Sequence, residues 1–439
     1  MVTGSNYLLE HEGSKILIDC GLHQGSSFSE RQNWEPFPYD PTSIAAVFVT
    51  HAHMDHVGRL PTLVRSGFKG AVYATPPTRD IAHLSLLDSD HILAEEAERF
   101  KKPVLYEPRD IDALMSRWKP IPYHETITVG PFRVTLWNAA HILGSAFIVV
   151  EVARKQIVFS GDLGNVPAPL IGSGELPPPS DYVLVESTYG GRIHEALPER
   201  KELLRGMVKE TVERGGTLVI PAFAVERTQE LLFELHDLIE HNLIPQVPVF
   251  LDSPLAIKMT DIYRKHTDYL APEATRRDPH EKHPLFEFPG LRKTMMSEES
   301  KAINNVPPPK VIIAGSGMSH GGRILHHEKR YLPDPKSTLL IVGYQAQGSL
   351  GRQILDGAST VTIFGEEIPV RAHVKAIGGY SAHADQPQLL RWLTPLRASV
   401  KRVFIVQGES EEAEALKEKV VGELGMDAHI PDEGEEVML

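Results

Sequence analysis

The sequence lacks the features that would mark it for export or for a membrane. It contains one cysteine, Cys20, so no disulfide can form within the chain, and cysteine usage gives no reason to expect an oxidising compartment. No segment approaches the roughly 20 apolar residues of a membrane-spanning helix. The N-terminus shows no charged start followed by an apolar run. These absences favour a cytoplasmic protein that does not bind a membrane.

Positive charge is also in short supply. Lys and Arg number 45 against 58 Asp and Glu, which gives a formal net charge of −13. Spread evenly, this charge would argue against a nucleic-acid partner. The acidic residues are instead concentrated near 95–98, 409–414 and 432–436. Runs of this kind usually form solvated faces, so any site for a polyanion must be local.

The length of the chain and its pattern of hydrophobic residues indicate an α/β protein of several domains. The 439 residues exceed what one ordinary core holds, so two or three domains are expected. Strand-like runs are frequent in the first half. From about residue 198, strands alternate with helices, which predicts parallel βαβ units.

Residues 51–56, with the sequence His-Ala-His-Met-Asp-His, place four metal-binding side chains within six positions. They follow an apolar, β-branched run that is typical of a buried strand in a parallel sheet. The alternating His51 and His53 can face one metal ion, and the next turn can present Asp55 and His56 to a second. Imidazole and carboxylate together suit zinc, manganese or iron rather than calcium. The alternative is a polar surface loop that binds nothing.

Polar residues also end four further apolar strands: Asp19, His141, Asp162 and Glu186. In open α/β architectures, ligands gather at the carboxyl ends of strands, so these side chains can converge. Any one of them alone is more often a satisfied loop residue than a ligand. In order around the hexapeptide, they predict a metal centre.

These motifs resemble the metallo-β-lactamase fold, through Asp19, His51-x-His53-x-Asp55-His56, His141 and Asp162 in that order. Two further motifs are similar to those of its β-CASP subgroup of RNA-processing nucleases: Glu186-Ser-Thr-Tyr-Gly and Ser381-Ala-His383-Ala-Asp385. That subgroup is related to the endonuclease of the cleavage and polyadenylation specificity factor. Among its members, the chain looks most similar to short bacterial proteins without N-terminal KH domains.

The resemblance implies a fold and a domain order. The fold would be a metallo-β-lactamase αββα sandwich with an inserted β-CASP domain, itself a mostly parallel sheet flanked by helices. Residues 1–191 would form the first part of the metallo-β-lactamase domain, and 192–368 the β-CASP insertion. Residues 369–439 would complete the first domain.

The resemblance also implies two zinc ions and the residues that hold them. One ion would be bound by His51, His53 and His141. The other would be bound by Asp55 and His56, and Asp162 would bridge the pair. Asp19 would be a carboxylate that orients a ligand histidine, as such sites commonly require. The residues expected to act in catalysis are Asp55, His383, Glu186 and Asp19.

One position departs from the family pattern. Family members typically carry a histidine in a strand-end Val-His-Gly-Glu, as a further ligand of the second zinc, where this chain has Gln407. Glutamine offers only a neutral amide oxygen, which is a poorer zinc ligand than imidazole. We therefore expect a second zinc site that is weakened rather than absent.

The expected chemistry is hydrolysis of a phosphodiester. Two metal ions about 3.5–4 Å apart can generate a bridging hydroxide and neutralise the charge that builds on the phosphate. The departing oxygen needs a proton, for which His383 is the candidate general acid, with Glu186 as the carboxylate that favours its charged form. The alternative is that His383 only caps the following helix.

Glycine-rich turns in the predicted insertion are candidate phosphate sites. Residues 315–323 and 348–352 each follow a predicted strand and contain an arginine. Backbone N–H groups at a helix start can bind an anion, and arginine can add a bidentate contact. Such turns are often no more than tight connections. The predicted RNA contacts are Ser253, Gly317, Gly321, Gly322, Arg323, Arg352 and Arg227.

Three functions fit the sequence. The first is a zinc-dependent ribonuclease that cuts single-stranded RNA and leaves a 5′-phosphate, in endonucleolytic or 5′-exonucleolytic mode. The second is a small-molecule hydrolase of the same metal fold, and the third is an RNA-binding protein whose catalysis is impaired by Gln407. The RNA target, the position of the natural start and the presence of a homodimer are left open.

Overall fold

The structure is a computed structural model that describes residues 3–24, 31–194, 197–276, 282–343, 345 and 348–439. The chain divides into two compact units. The first unit comprises Met1–Ile193 and His383–Leu439, and the second unit comprises His194–Ala382. Among the described helices, none combines the length and the hydropathy that crossing a bilayer requires.

Strands dominate the first unit and alternate with helices in the second. Within the described residues the strands are, in chain order, β1 (Tyr7–His11), β2 (Ser14–Ile18), β3 (Ile44–Phe48), β4 (Ala71–Ala74), β5 (Trp118–Pro120), β6 (Thr126–Val129), β7 (Phe132–Asn138), β8 (Ala146–Val152), β9 (Lys155–Phe159), β10 (Tyr182–Glu186), β11 (Thr217–Pro221), β12 (Val249–Asp252), β13 (Leu291–Lys293), β14 (Lys310–Ala314), β15 (Thr338–Ile341), β16 (Thr360–Ile363), β17 (Glu366–Pro369), β18 (His373–Ala376), β19 (Arg402–Val406) and β20 (Ala428–His429).

The helices begin at capping residues or prolines in several cases, for example at Thr75, whose hydroxyl accepts the Thr78 N–H. In the described parts of the chain the α-helices are α1 (Met54–Val57), α2 (Leu60–Arg65), α3 (Pro76–Phe100), α4 (Pro108–Met115), α5 (Leu197–Glu213), α6 (Arg227–Glu240), α7 (Pro254–Lys265), α8 (Pro272–Thr275), α9 (Ser297–Ala302), α10 (Ile324–Tyr331), α11 (Leu350–Leu355), α12 (Gln386–Leu393) and α13 (Ser410–Lys419).

The first unit contains two sheets, with strand orders β1-β2-β3-β4-β5 and β20-β19-β10-β9-β8-β7-β6. Apolar side chains of both sheets form one core, which includes Ile18 and Phe48 from the first sheet and Leu136 and Ile148 from the second. A second core lies between the larger sheet and residues of α12 and α13, such as Leu389 and Leu416. Against the smaller sheet, α3 contacts β5 and α4. These layers are the predicted αββα sandwich.

The second unit is built on a six-stranded sheet of order β13-β12-β14-β11-β15-β18, in which every pairing is parallel. Strands β11 and β14 are buried at every residue, because a parallel sheet covered on both faces favours continuous apolar runs. Its core includes Ile312, Ile324 and Ile354, so α10 and α11 pack on the sheet. The hairpin β16–β17 adds Val361 and Ile368 to this core.

The two units divide near, but not at, the predicted domain limits. The first break follows Ile193, against a predicted limit at 191. The second break follows Ala382, against a predicted limit at 368. Residues 369–382 lie in the second unit because β18 extends its sheet beside β15. The domain limits inferred from the resemblance stay a prediction.

A buried carboxyl in α10, that of Glu328, is expected to make the stability of the second unit depend on pH. Burial raises the pKa of Glu328 to about 7, although a hydrogen bond from Ser319 acts to lower that pKa. Its Oε2 accepts no hydrogen bond from any residue that the structure describes. A carboxyl with a raised pKa contributes stability that is present below its unfolded pKa and is lost as pH rises through about 7.

We therefore expect Glu328→Gln to stabilise the protein above neutral pH and to leave its stability at pH 4 nearly unchanged. A pKa rise from 4.5 to about 7 corresponds to roughly 3 kcal/mol at pH 8. Urea unfolding at the two pH values measures this difference. The matched control is Glu298→Gln, the same change at an exposed helix position. An equal gain at both pH values would contradict the titration of Glu328.

Candidate active site

The strand order of the first unit places the predicted site residues at the ends of neighbouring strands. Strands β9, β10 and β19 run parallel, so their carboxyl ends lie side by side. Asp162, Glu186 and Gln407 lie at or just after these ends. Strand β2 runs parallel to β3 and is followed at once by Asp19, while His51 follows β3. This alignment is why residues far apart in sequence can meet.

Close backbone packing fixes the helix that carries Asp55 and His56. Gly21 lies so close to this helix that an added Cβ would be 1.5 Å from the Asp55 carbonyl oxygen. The backbone N–H of Cys20 donates to the His56 carbonyl at 2.8 Å, and that of Ser5 donates to the Asp55 carbonyl at 2.9 Å. The short α1 is therefore held by neighbouring backbone rather than by its own length.

Three residues beside the site adopt left-handed backbone conformations, which residues other than glycine rarely adopt. The φ angles are +59° at Asp19, +51° at Ala140 and +48° at Gln407. Such conformations persist where the surroundings determine them, and they are enriched at functional sites. Here they turn the chain sharply after β2 and β19, and just before His141.

Four side chains converge at the centre of the site. His53 Nδ1 lies 3.0 Å from His51 Nε2 and 3.1 Å from His141 Nε2. Asp162 Oδ2 lies 3.3 Å from His51 Nε2 and 3.4 Å from His141 Nε2. All four ligand atoms lie within 4.8 Å of one another, and the residues come from three separate segments of the chain.

This cluster fits a zinc ion. Tetrahedral zinc with bonds of about 2.0–2.1 Å sets its ligand atoms about 3.3 Å apart, close to the separations observed here. Asp162 Oδ1 is buried and forms no hydrogen bond with the described residues, as a carboxylate oxygen reserved for an ion would be. Three imidazoles and one carboxylate are donors that zinc accepts.

The protonation states of the cluster also favour a cation. Burial lowers the pKa of His53 well below its ordinary value, and the neighbouring His51 adds to this effect. Burial likewise lowers the pKa of His141, helped by His383. Burial alone would raise the pKa of Asp162, but the surrounding histidines outweigh it and hold that pKa low. Neutral imidazoles beside an ionised carboxylate are the forms that bind metal.

The predicted second zinc site is less compact. His56 Nε2 lies 3.4 Å from Asp162 Oδ1 and 3.8 Å from Asp55 Oδ2. The side-chain amide nitrogen of Gln407 lies 3.2 Å from the same His56 Nε2, so Gln407 does reach this position. Burial lowers the pKa of His56, but the carboxylates of Asp162 and Asp19 outweigh burial and raise it.

Asp19 and Thr50 contact His51 and His56 at their Nδ1 atoms. Asp19 Oδ2 lies 2.7 Å from His56 Nδ1, and its Oδ1 accepts the Thr50 N–H at 2.8 Å. The Thr50 hydroxyl donates to Asp19 Oδ2 at 2.9 Å and lies 3.0 Å from His51 Nδ1. With Nδ1 engaged in this way, His51 and His56 present Nε2 to the site.

His383 and Glu186 form a pair at the edge of the cluster. His383 Nδ1 lies 3.1 Å from Glu186 Oε2 and 4.0 Å from Asp162 Oδ2. The Leu163 N–H donates to Glu186 Oε1 at 2.7 Å, which fixes the buried carboxylate. The cap of the following helix is Asp385, whose side chain accepts the Gln388 N–H. Helix capping is therefore not the role of His383.

The predicted RNA contacts all belong to the second unit, where several have internal partners. Arg323 donates to Asp252 Oδ1 at 2.7 Å and to the Thr294 carbonyl at 2.9 Å. Arg227 is buried and pairs with Glu230. The guanidinium groups of Arg323 and Arg227, which were predicted to contact phosphate, are therefore already paired with carboxylates of the protein.

The remaining predicted contacts serve turns and helix starts in the described structure. Arg352 pairs with Asp356 on the surface of α11. The Ser253 hydroxyl caps α7 by accepting the Ala256 N–H at 3.3 Å. An added Cβ on Gly317 would lie 2.6 Å from the Phe223 ring, and one on Gly322 would lie 2.7 Å from the Gly315 carbonyl oxygen, whereas Gly321 has open space around it. Phosphate binding by this set stays a prediction.

Comparison with known families accounts for nearly all of the chain. Residues 2–190 match the metallo-beta-lactamase superfamily, 228–354 match the Beta-Casp domain, and 367–431 match the Zn-dependent metallo-hydrolase RNA specificity domain. Ribonuclease TTHA0252 of Thermus thermophilus is 40% identical over 94% of this chain and 92% of its own length. The chain belongs to the metallo-β-lactamase superfamily, with the β-CASP and RNA specificity domains.

Other relatives are longer than this chain. Transcription termination factor FttA of Methanosarcina mazei is 34% identical over 96% of this chain, which spans 67% of the factor. The factor of the same name from Methanocaldococcus jannaschii is 33% identical over 91% of the chain and 64% of its own length. A crystal structure of a protein of unknown function from Enterococcus faecalis shares the fold, with a TM-score of 0.57 at 13% identity over 100% of this chain and 97% of that one.

The family assignment confirms the predicted resemblance, the fold class and the enzyme class, a zinc-dependent metallo-hydrolase.

Two residues near the site, Thr50 and Glu412, were not predicted from the sequence. Thr50 carried a signal, since a hydroxyl directly precedes the metal motif. No sequence signal distinguished Glu412. The prediction that residues 409–414 form a solvated face is wrong for this residue, which is only 9% exposed.

Proposed function

We propose that the protein is a zinc-dependent ribonuclease that hydrolyses phosphodiester bonds of single-stranded RNA. The observation that carries the proposal is the convergence of His51, His53, His141 and Asp162 beside the His383–Glu186 pair. The RNA specificity domain at residues 367–431 and the ribonuclease relative support RNA as the substrate.

Two zinc ions are proposed as the cofactor. His51, His53, His141 and Asp162 would hold the first. The second would be held by Asp55, His56 and the other oxygen of Asp162, with Gln407 as a weak further ligand. Zinc, when bound, makes water a nucleophile at neutral pH and offsets the negative charge of a phosphodiester.

His383 would protonate the departing oxygen. Burial lowers the pKa of His383, but the carboxylates of Glu186 and Asp162 outweigh burial and raise it to about 9, so the ring carries a proton at neutral pH. Glu186 faces Nδ1, which places the other ring nitrogen, Nε2, toward a substrate. Attack at phosphorus with proton transfer to the ribose 3′-oxygen leaves a 5′-phosphate on the product.

A substrate panel tests this function. The purified protein, with zinc counted per chain, is offered 5′-labelled RNA, matched DNA and a chromogenic lactam. RNA cleavage with little DNA or lactam turnover supports the proposal. Lactam turnover without RNA cleavage would replace it with the small-molecule hydrolase, and RNA binding without cleavage would replace it with the catalytically impaired binding protein.

Gln407→His is expected to tighten the second zinc site by at least about tenfold, since even partners that only support a ligand change metal affinity by about 10–100-fold. Histidine tolerates the left-handed backbone at this position, where φ is +48°. Stepwise titration of the apo protein with zinc, monitored by calorimetry, measures the affinities of the two zinc sites. Gln353→His, which adds a histidine at an exposed position, is the control. Equal second-site affinity in Gln407→His and the parent would show that residue 407 is not a ligand.

A further inference from the structure

A buried carboxylate on α13 holds the loop that follows Glu186. Glu412 Oε2 accepts the backbone N–H of Gly191 at 2.7 Å, and its Oε1 accepts Nε–H of Arg192, also at 2.7 Å. Its side chain is 11% exposed. An added Cβ on Gly190 would lie 2.2 Å from the Glu412 carbonyl oxygen, so the loop and the helix are in direct backbone contact. Glu412 thus fixes the position of residues 190–192.

The same loop supports the start of α12, which follows His383. The backbone N–H of Gln386 donates to the Arg192 carbonyl at 3.0 Å, and its side-chain amide donates to the Gly190 carbonyl at 2.5 Å. Gln386 is the first residue of α12 and lies three positions after His383. The Tyr189 ring lies 6.1 Å from the ring of His383.

Residues 190–192 therefore link the two backbone segments that carry the members of the proposed acid pair. Glu186 precedes the loop by four residues, and His383 lies just before the helix start that docks on it. The Ser187 hydroxyl donates to the Val406 carbonyl at 2.9 Å and fixes the beginning of the loop. The end of the loop is fixed by Glu412. A shift at this end would change the separation of His383 and Glu186.

We infer that Glu412 is a positioning residue that sets the geometry between His383 and Glu186 for leaving-group protonation. This inference rests on the proposed ribonuclease function. None of the four converging metal ligands lies on α13 or in the loop 187–192. Loss of the Glu412 carboxylate should therefore impair proton transfer while zinc remains bound.

The need for a proton donor can be measured separately from the need for zinc. An RNA with sulfur in place of the bridging 3′-oxygen at the mapped cleavage site releases a thiolate, which departs without protonation. Loss of a general acid slows cleavage of the oxygen linkage and spares the sulfur linkage, whereas loss of folding or of metal slows both. The two RNAs are otherwise identical, so binding is matched.

Glu412→Ala is expected to slow cleavage of the oxygen-linked RNA by about tenfold to a hundredfold, because small displacements of a catalytic group have effects of this size. Cleavage of the sulfur-linked RNA should stay within about twofold of the parent, since thiolate departure needs no general acid. Zinc content, measured by mass spectrometry, should be unchanged. Glu414→Ala, on the same helix but exposed and paired with Lys417, is the matched control.

Gln386→Ala and Glu412→Gln guard against a variant that fails to fold. Gln386→Ala removes the contact on the opposite side of the loop and should give the same selective loss. Equal slowing of both RNAs, or slowing of neither, in all folded variants would overturn the role of Glu412. If His383→Ala slows cleavage of both RNAs equally, His383 is not the general acid and the proposed mechanism fails. If His383→Ala is selective for the oxygen linkage but the Glu412 variants are not, only the role of Glu412 fails.

Discussion

Asp162→Asn is expected to lower RNA cleavage by about a thousandfold or more, because metal catalysis supplies several kcal/mol of transition-state stabilisation. The two carboxylate oxygens of Asp162 face the two proposed zinc sites. Its Oδ2 lies near His51 and His141, and its Oδ1 lies near His56. Asparagine keeps the shape but removes the negative charge that the two proposed zinc ions would require. Zinc content by mass spectrometry should fall together with activity.

The control for this prediction is Asp112→Asn, the same chemical change at an exposed position of α4 in the same unit. It should retain both zinc and activity. Circular dichroism of Asp162→Asn checks that the sandwich still folds. Full activity in a folded Asp162→Asn protein with less zinc would show that the His/Asp cluster is not the catalytic centre.

His383→Ala is expected to lower cleavage of ordinary RNA by about 10²–10⁴-fold, the usual contribution of a positioned general acid. Zinc content should be retained, because His51, His53 and His141 together with Asp162 form the cluster without His383. This combination separates His383 from the metal ligands, whose loss removes zinc as well. Single-turnover cleavage with saturating protein measures the chemical step.

His11→Ala is the matched control for His383→Ala, since His11 lies at the end of β1 and is partly exposed. Its cleavage rate should equal that of the parent. A His383→Ala protein that keeps its full rate on ordinary RNA would remove this histidine from the mechanism. Loss of zinc in His383→Ala would instead assign it to the metal site.

The metal cluster was the part of the site most accessible from sequence. Zinc requires particular donor types at close spacing, and residues 51–56 supply four of them locally. Asp162 and His141 could be added because each lies close to the end of an apolar strand, and parallel strands bring such ends together. The structure places these residues within ligand distance of one another.

The partners of individual charged residues were harder to predict from the sequence. Phosphate binding by Arg323 stays a prediction, but its partner in the structure is Asp252, which lies 71 residues earlier in the chain and was not predicted. The acidic run at 409–414 was predicted to face solvent, yet Glu412 is buried against Gly191, 221 residues away. Charge alone does not predict the partner, because pairing depends on which strands and helices become neighbours.

Sequence patterns were sufficient to predict the donor chemistry of the metal site, the α/β class and the alternation of strands and helices beyond residue 198. These properties depend on residue type and on short-range periodicity, which are local. Only the folded chain shows that the Thr50 hydroxyl contacts Asp19 and that the Glu412 carboxylate holds the loop that follows Glu186. Such contacts join distant segments, so they are fixed only when the sheets pack and strand ends meet.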